Sequence, residues 1–263
     1  MVIFFVIISF NSFSQLALEF SATPKTDKRI IIVPFDQRIY FNDATEIIAK
    51  KDDLSHEQIM EYFRFEINNQ LAKALSDSCY VTNMLANPTT TETKEEIENI
   101  FSIVSYEMAI VRPNEYVTEN EKKHLFKKKK TEEKNCETGK ISKTKIENGE
   151  IVTNRTTLDD KYLKIIFSDK KILEKIAAKY KADYFLFINQ FEIKGDGYRD
   201  PYISGNKNAK RVIKIHFQIF DYSGHLVHGG FAENKIPFIL DDKQEIINSY
   251  FPEIVRQIIS NIK

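Results

Sequence analysis

Tryptophan is absent from this sequence, and only two cysteines, eight glycines and seven prolines occur in 263 residues. Each scarcity excludes something. Two cysteines cannot frame a disulfide-rich scaffold or a cysteine zinc site. Cys79 falls at the start of a strand pattern and Cys136 in a charged stretch, so free thiols are expected rather than a bridge. With so few glycines there is no phosphate-cradling loop: Gly195-Asp-Gly197 lacks the strand–loop–helix setting that such loops need. Lys+Arg and Asp+Glu balance at 38 each, which leaves no net field to draw the molecule to nucleic acid or an anionic membrane. No apolar run reaches the roughly 20 residues of a membrane-spanning helix, so no transmembrane segment is expected. What is present, 42% hydrophobic and 29% charged residues with 20 Phe and 12 Tyr, suits a globular chain with a sizeable core.

The opening MVIFFVIISFNSFSQ has an apolar run from Val2 to Phe10, then small residues at Ser12 and Ser14. This reads as a signal peptide over residues 1–14, with cleavage before Gln15 and a mature N-terminal tail over 15–28. The competing reading is a buried first strand. Export would make the protein periplasmic or secreted, and no Cys stands beside the cleavage point to carry a lipid anchor.

Residues 29–35, Arg-Ile-Ile-Ile-Val-Pro-Phe, predict a strand buried on both faces and ended at Pro34. Ser55 and Gln58 have capping-box spacing. Ile59, Phe63, Ile67, Leu71 and Leu75 then recur every four residues as one helical stripe. Tyr80 to Leu85 predicts a second strand. A further helix is expected with Thr93 and Glu96 as its cap and Ile97, Ile100, Phe101, Val104 and Met108 as its buried side.

The apolar pattern then stops. Residues 121–150 hold ten Lys and six Glu, and about 112–160 is expected to be a charged insertion outside the core, with a hairpin of 140–146 and 151–155 around Asn148-Gly149. The block Lys127–Lys130 is followed at once by Glu132, Glu133 and Glu137 and reads as a solvated loop, not a nucleic-acid grip. Asn154-Arg-Thr156 is formally a glycosylation sequon.

Order is expected to resume at Ser168 as an N-cap, with Ile172, Leu173, Ile176, Ala177 and Tyr180 as the apolar side of a helix. Tyr184 to Ile188 predicts a central strand covered on both faces, and beyond Gln190 one face is expected to emerge from the core. Val212 to Phe220 alternates, with Ile213, Ile215, Phe217 and Ile219 inward and Lys214, His216 and Gln218 toward solvent. Asp221-Tyr-Ser-Gly224 supplies a turn to a partner strand from His225 to Glu233. Ile247, Tyr250, Phe251, Ile254, Ile258 and Ile262 define a closing helix that Pro252 kinks. The sum is one α/β domain over residues 29–263: a mixed sheet, parallel at its start and antiparallel at its end, with helices packed on its faces.

The stretches RIIIVPF (29–35), IAAKYKADYFLFINQFEI (176–193) and FQIFDYSGHLVHGG (217–230) resemble the α/β domains at the amino end of TolB and in the periplasmic activators of penicillin-binding proteins, with the curli secretion factor a more distant relative. Asp183 after Ala182, and Asp221 with Gly224, stand at the matching positions. Residues 34–71 also resemble the opening of exported proteins of unassigned function in Gram-negative bacteria. The resemblance implies a non-enzymatic envelope protein that docks on a protein partner and needs no cofactor.

Candidate sites are few. Strand-face histidines His216, His225 and His228 read as solvated. His225 and His228 fall on opposite faces by parity, and although His216 and His228 are expected to share a face across the hairpin, two imidazoles make a poor metal site. Asp36 and Tyr40, just past the first strand, stand where open α/β sheets hold ligands. They mark the alternative reading, a hydrolase or small-ligand-binding enzyme, against a turn-capping Asp36. The stretch Gly195–Lys210 carries Tyr198, Arg199 and Tyr202, residue types in which binding energy concentrates, and these are the partner-binding candidates.

Overall fold

The structure, a computed structural model, describes residues 26–86, 89–110, 142–147, 150–155, 161–195 and 209–262, with only the backbone for 142–147 and 150–155. The signal-like segment, most of the tail, His124, the Lys127–Lys130 block, Cys136, Asn148-Gly149, Tyr198, Arg199 and Tyr202 lie outside the described residues.

The strand β1 (Arg29–Val33) sits inside the main sheet because Ile30, Ile31, Ile32 and Val33 leave no polar side chain to face water. It pairs in parallel with β3 (Tyr80–Asn83) on one side and β8 (Tyr184–Gly195) on the other. The order continues antiparallel through β9 (Lys210–Asp221) to β10 (Leu226–Pro237). This is the mixed α/β sheet expected from the sequence. After Pro34 the chain turns at a short 3-10 segment and lays a strand not foreseen in the sequence, β2 (Tyr40–Asn42), along the extension of β8.

One face of the sheet is covered by α1 (Thr45–Asp52), α2 (His56–Leu75), a π-helical segment (Ile246–Tyr250) that the short α5 (Lys243–Glu245) leads into, and α6 (Phe251–Ile259). The capping box of α2 forms as its spacing predicts: Ser55 Oγ accepts from the Gln58 N–H and Gln58 Oε1 from the Ser55 N–H. All five residues of its stripe are buried. Pro252 lies in the first turn of α6, directly after the π-helical segment, where the Ile247 carbonyl accepts from Gln70 Nε2 at 3.1 Å.

The other face is covered by α3 (Thr91–Ser102), α4 (Lys171–Tyr180) and a small antiparallel sheet of β4 (Val104–Ile110) with β7 (Lys161–Phe167). Here the structure corrects the sequence reading. The helix predicted through Met108 ends at Ser102, and Val104 and Met108 belong to β4. Thr90, not Thr93, caps α3 by accepting from the Thr93 N–H, while Glu96 instead takes Lys179 Nζ at 2.6 Å and Tyr180 Oη at 2.8 Å from α4. Ser168 does not cap α4, since its N–H and hydroxyl both donate to the Ile103 carbonyl. Between β4 and β7 lies the antiparallel hairpin of β5 (Ser142–Glu147) and β6 (Glu150–Arg155).

Two local features decide which side chains meet. The β8–β9 register shifts between Ile188 and Gln190, so Asn189 is an extra residue. The inward parity flips there: Leu186 and Ile188 point to the α2 side before it, and Phe191 and Ile193 after it. At the β9–β10 turn Asp221 Oδ1 accepts from the Ser223 and His225 N–H groups and Gly224 takes φ 75°, a conformation that suits glycine.

Candidate functional site

Asp36 follows β1 directly, and the sequence reading paired it with Tyr40. The structure gives them disjoint partners. Asp36 is buried, caps the 3-10 turn by accepting from the Arg38 N–H at 3.0 Å, and forms a two-pronged ion pair with the Arg38 guanidinium. Burial alone would raise its carboxyl, but the Arg38 hydrogen bonds and the charges of Arg38 and Arg64 hold it below the usual carboxylate range. Arg64, buried on α2, donates Nε to the Phe35 carbonyl at 2.8 Å, and burial lowers its pKa. Tyr106 of β4 lies beside this pair, its phenol pushed up by burial and then by the Asp36 charge. Tyr40 instead joins Phe35 and Phe191 in a three-ring cluster, ring centroids 6.0 and 5.6 Å away, and its hydroxyl meets Thr45 and Asn42. The place beside the parallel strand ends where such sheets hold ligands is thus filled by β2 and an aromatic stack. Asp36 behaves as the turn-capping residue that the sequence also allowed.

A second polar cluster was missed altogether. Lys214, His216 and Gln218 alternate with Ile213, Ile215, Phe217 and Ile219, a pattern that reads as a solvent-facing edge. In the structure β7 lies across that face, and His216 and Gln218 are buried at 2% and 0% exposure. Their role is to bond the edge of β7 that β4 leaves unpaired. The Leu163 N–H donates to His216 Nδ1 at 2.6 Å and the Ile165 N–H to Gln218 Oε1, while Asn189 Nδ2 donates to the Leu163 carbonyl at 2.6 Å and to Gln218 Oε1 at 3.0 Å. Glu192 meets His216 Nε2 at 3.0 Å and is paired on its other oxygen with Lys194. Burial opposes ionisation of Glu192, yet the hydrogen bonds from His216 and Lys194 bring its pKa down to about 2. Burial lowers His216 against the opposing pull of Glu192. The strand does not emerge from the core beyond Gln190 as expected, because Gln190 and Glu192 are both buried.

The histidine geometry also differs from expectation. His216 packs by Phe231 and His228 by Phe217, on opposite faces of the sheet, so the two cannot share a ligand through the hairpin. Among the described residues no group of three His, Cys, Asp or Glu side chains could hold a metal ion.

Part of the exposed apolar surface stands on β4. Its inner end packs Val104 and Tyr106 against the core, whereas its outer end carries Met108 and Ile110 at 56% and 53% exposure. Among the described residues β4 pairs with β7 alone, and its second edge has no strand partner among them. The base of the β8–β9 connection, which holds the candidates Tyr198, Arg199 and Tyr202, is fixed by Asp43: its carboxylate accepts from the Gly195 N–H and from Arg211 Nε, each at 2.7 Å. An open groove of about 610 Å³ runs between α2 and α6, with Ala74, Val255 and Ile259 as its apolar lining. No described helix is long and apolar enough to cross a membrane.

No protein-family model and no curated protein matches the sequence. Among solved structures the chain is similar to a dodecamer of a PelC point variant from Paraburkholderia phytofirmans (9% identity, 91% of each chain, TM-score 0.32). It is also similar to the hypothetical protein CT253 from Chlamydia trachomatis (9% identity, 90% of this chain and 96% of that one, TM-score 0.34). A third is lipoprotein GNA1162 from Neisseria meningitidis (10% identity, 89% and 99%, TM-score 0.32). At these TM-scores the likeness carries no argument about function.

Proposed function

We propose that this chain is an exported, non-enzymatic protein of the Gram-negative cell envelope, periplasmic or secreted, that binds a protein partner in envelope assembly or maintenance. On this reading residues 1–14 are the signal peptide, 15–28 a tail and 29–263 a single domain with a charged insertion at about 112–160. The apolar Val2–Phe10 run with Ser12 and Ser14, and the resemblance of RIIIVPF and IAAKYKADYFLFINQFEI to envelope docking domains, support export and the docking role. The observation that carries the binding role is the outer end of β4, an edge with no strand partner among the described residues, flanked by exposed Met108 and Ile110. The occupant is an extended segment of the partner that adds to β4 as a strand: backbone bonds supply affinity and side chains beside Met108 and Ile110 supply specificity. Tyr198, Arg199 and Tyr202 form a second contact.

Affinity capture from native envelopes tests this, with the wild type beside Met108→Lys and Ile110→Lys variants of unchanged melting behaviour. A partner recovered by the wild type and lost from both variants is expected; recovery unaltered by either substitution overturns the docking edge. Intact mass of the natively expressed chain should place its first residue at Gln15, and retention of Met1 would refute export by this route.

A further inference from the structure

A strand normally satisfies its edge with another strand, but β7 satisfies one with an imidazole. The Leu163 N–H is an obligatory donor and points at His216 Nδ1 from 2.6 Å, so that nitrogen must offer a lone pair. The ring's other nitrogen, 3.0 Å from the Glu192 carboxylate, carries the hydrogen. Only the neutral ring protonated at Nε2 serves both partners. A proton added at Nδ1 would set N–H against N–H in a site of 3% side-chain exposure.

We propose that His216 is an acid-released latch: neutral, it holds the β4–β7 sheet on the main sheet, and protonated at Nδ1 it lets that sheet lift. The charged groups around the ring are Glu192 and Lys194 from β8 and Lys214 from β9. From β10 comes the Phe231 ring, and β7 offers backbone, its Lys164 being engaged by Glu107 of β4. Glu192 stays ionised across the imidazole range, so it does not trigger the release. The latched imidazole binds its proton less readily than a solvated one, being desolvated. The latch is therefore complete above the ordinary imidazole pKa of about 6.5 and weakens as pH falls below it, the released population rising by up to about tenfold per pH unit. What lifts is local, a two-stranded sheet that packs on the main sheet through Ile165 and Phe167. The inference holds whether or not β4 takes a partner.

Amide exchange by NMR on the full chain tests it, at about pH 7 and about pH 5 after correction for intrinsic chemical exchange. Protection of the Leu163 and Ile165 amides should fall roughly tenfold, while that of the Phe187 amide in the main sheet stays constant. His216→Asn places a non-titrating carbonyl near the Nδ1 position, and there Leu163 protection should be the same at both pH values. Constant protection in the wild type, or an equal fall in His216→Asn, overturns the latch. If that variant does not fold, long-range proton–nitrogen spectra of the wild type at neutral pH decide: a ring protonated only at Nε2 supports the latch, and one protonated at Nδ1 refutes it.

Discussion

Leu186 and Phe187 are neighbours on β8 that belong to different cores, and truncating each in turn measures whether both faces of the sheet are filled. Leu186 is fully buried on the α2 side and Phe187 fully buried on the α3–α4 side, its ring 5.3 Å from Phe167 and 5.4 Å from Phe220. Leu186→Ala removes three carbons, so transfer alone costs about 2.4 kcal/mol at roughly 0.8 per carbon. The cavity left in a rigid three-layer packing brings the total to about 3–5 kcal/mol, with a similar figure for Phe187→Ala. Lys50, exposed on α1, is the control, and Lys50→Ala should stay within about 0.5 kcal/mol. Urea unfolding followed by circular dichroism gives all three values, provided the denaturant slope is unchanged. If Leu186→Ala or Phe187→Ala proved as mild as the control, one face of β8 would be open and the layered packing wrong.

Gly229 on β10 accommodates the Tyr162 ring, and a Cβ there would lie 2.5 Å from the Tyr162 hydroxyl, whereas at Gly230 the nearest atom is 3.9 Å away. Gly229→Ala should therefore destabilise by about 1–3 kcal/mol and Gly230→Ala by much less, as read from thermal melts. Ser55→Ala breaks the capping box of α2 and should cost about 1 kcal/mol in the same assay. The Glu192 carboxyl ionises more readily in the native chain than in the unfolded one, so its contribution is complete above about pH 4.5 and is lost as pH falls toward about 2. Glu192→Gln should flatten the acid limb of a stability–pH profile below about pH 4.5, and an unchanged limb would refute the assignment.

The fold was legible where one periodicity applied over a long enough stretch. The α2 stripe, the all-apolar β1 and the Asp221–Gly224 turn each carry a physical signal that depends on nearby residues alone, and they sufficed for a mixed sheet with helices. The elements missed were short or ambiguous. β2 has three residues, and Phe101, Val104 and Met108 continue a helical spacing past the end of α3 although Val104–Ile110 also fits a half-buried strand. Nothing local distinguishes the two, because the choice is made by β7, more than 50 residues later in the chain. The bulge at Asn189 was equally invisible, and without it the parity of Gln190 and Glu192 is misassigned.

The polar ladder on β9 shows why the candidate site was harder to read than the fold. Alternation of Lys214, His216 and Gln218 with isoleucine and phenylalanine tells which face is apolar, but it does not tell what lies over the other. A polar side chain gains as much from a stranded backbone N–H as from water, and in a dry place it is worth more there, because leaving the N–H without a partner costs about 1–3 kcal/mol. Histidine, glutamine and asparagine at three adjacent face positions are acceptors and donors at a fixed height above the sheet, enough to replace a missing strand along the Leu163–Ile165 edge. The same residues that signal exposure in a two-layer fold therefore serve, in this one, as the attachment of a third layer. Substituting Gln218 by Leu keeps the volume and removes the acceptor, so the Ile165 N–H loses its partner. The expected result is a stability loss of about 1–3 kcal/mol with faster exchange confined to β4 and β7, and a variant as stable as the wild type would show that β7 does not depend on the ladder.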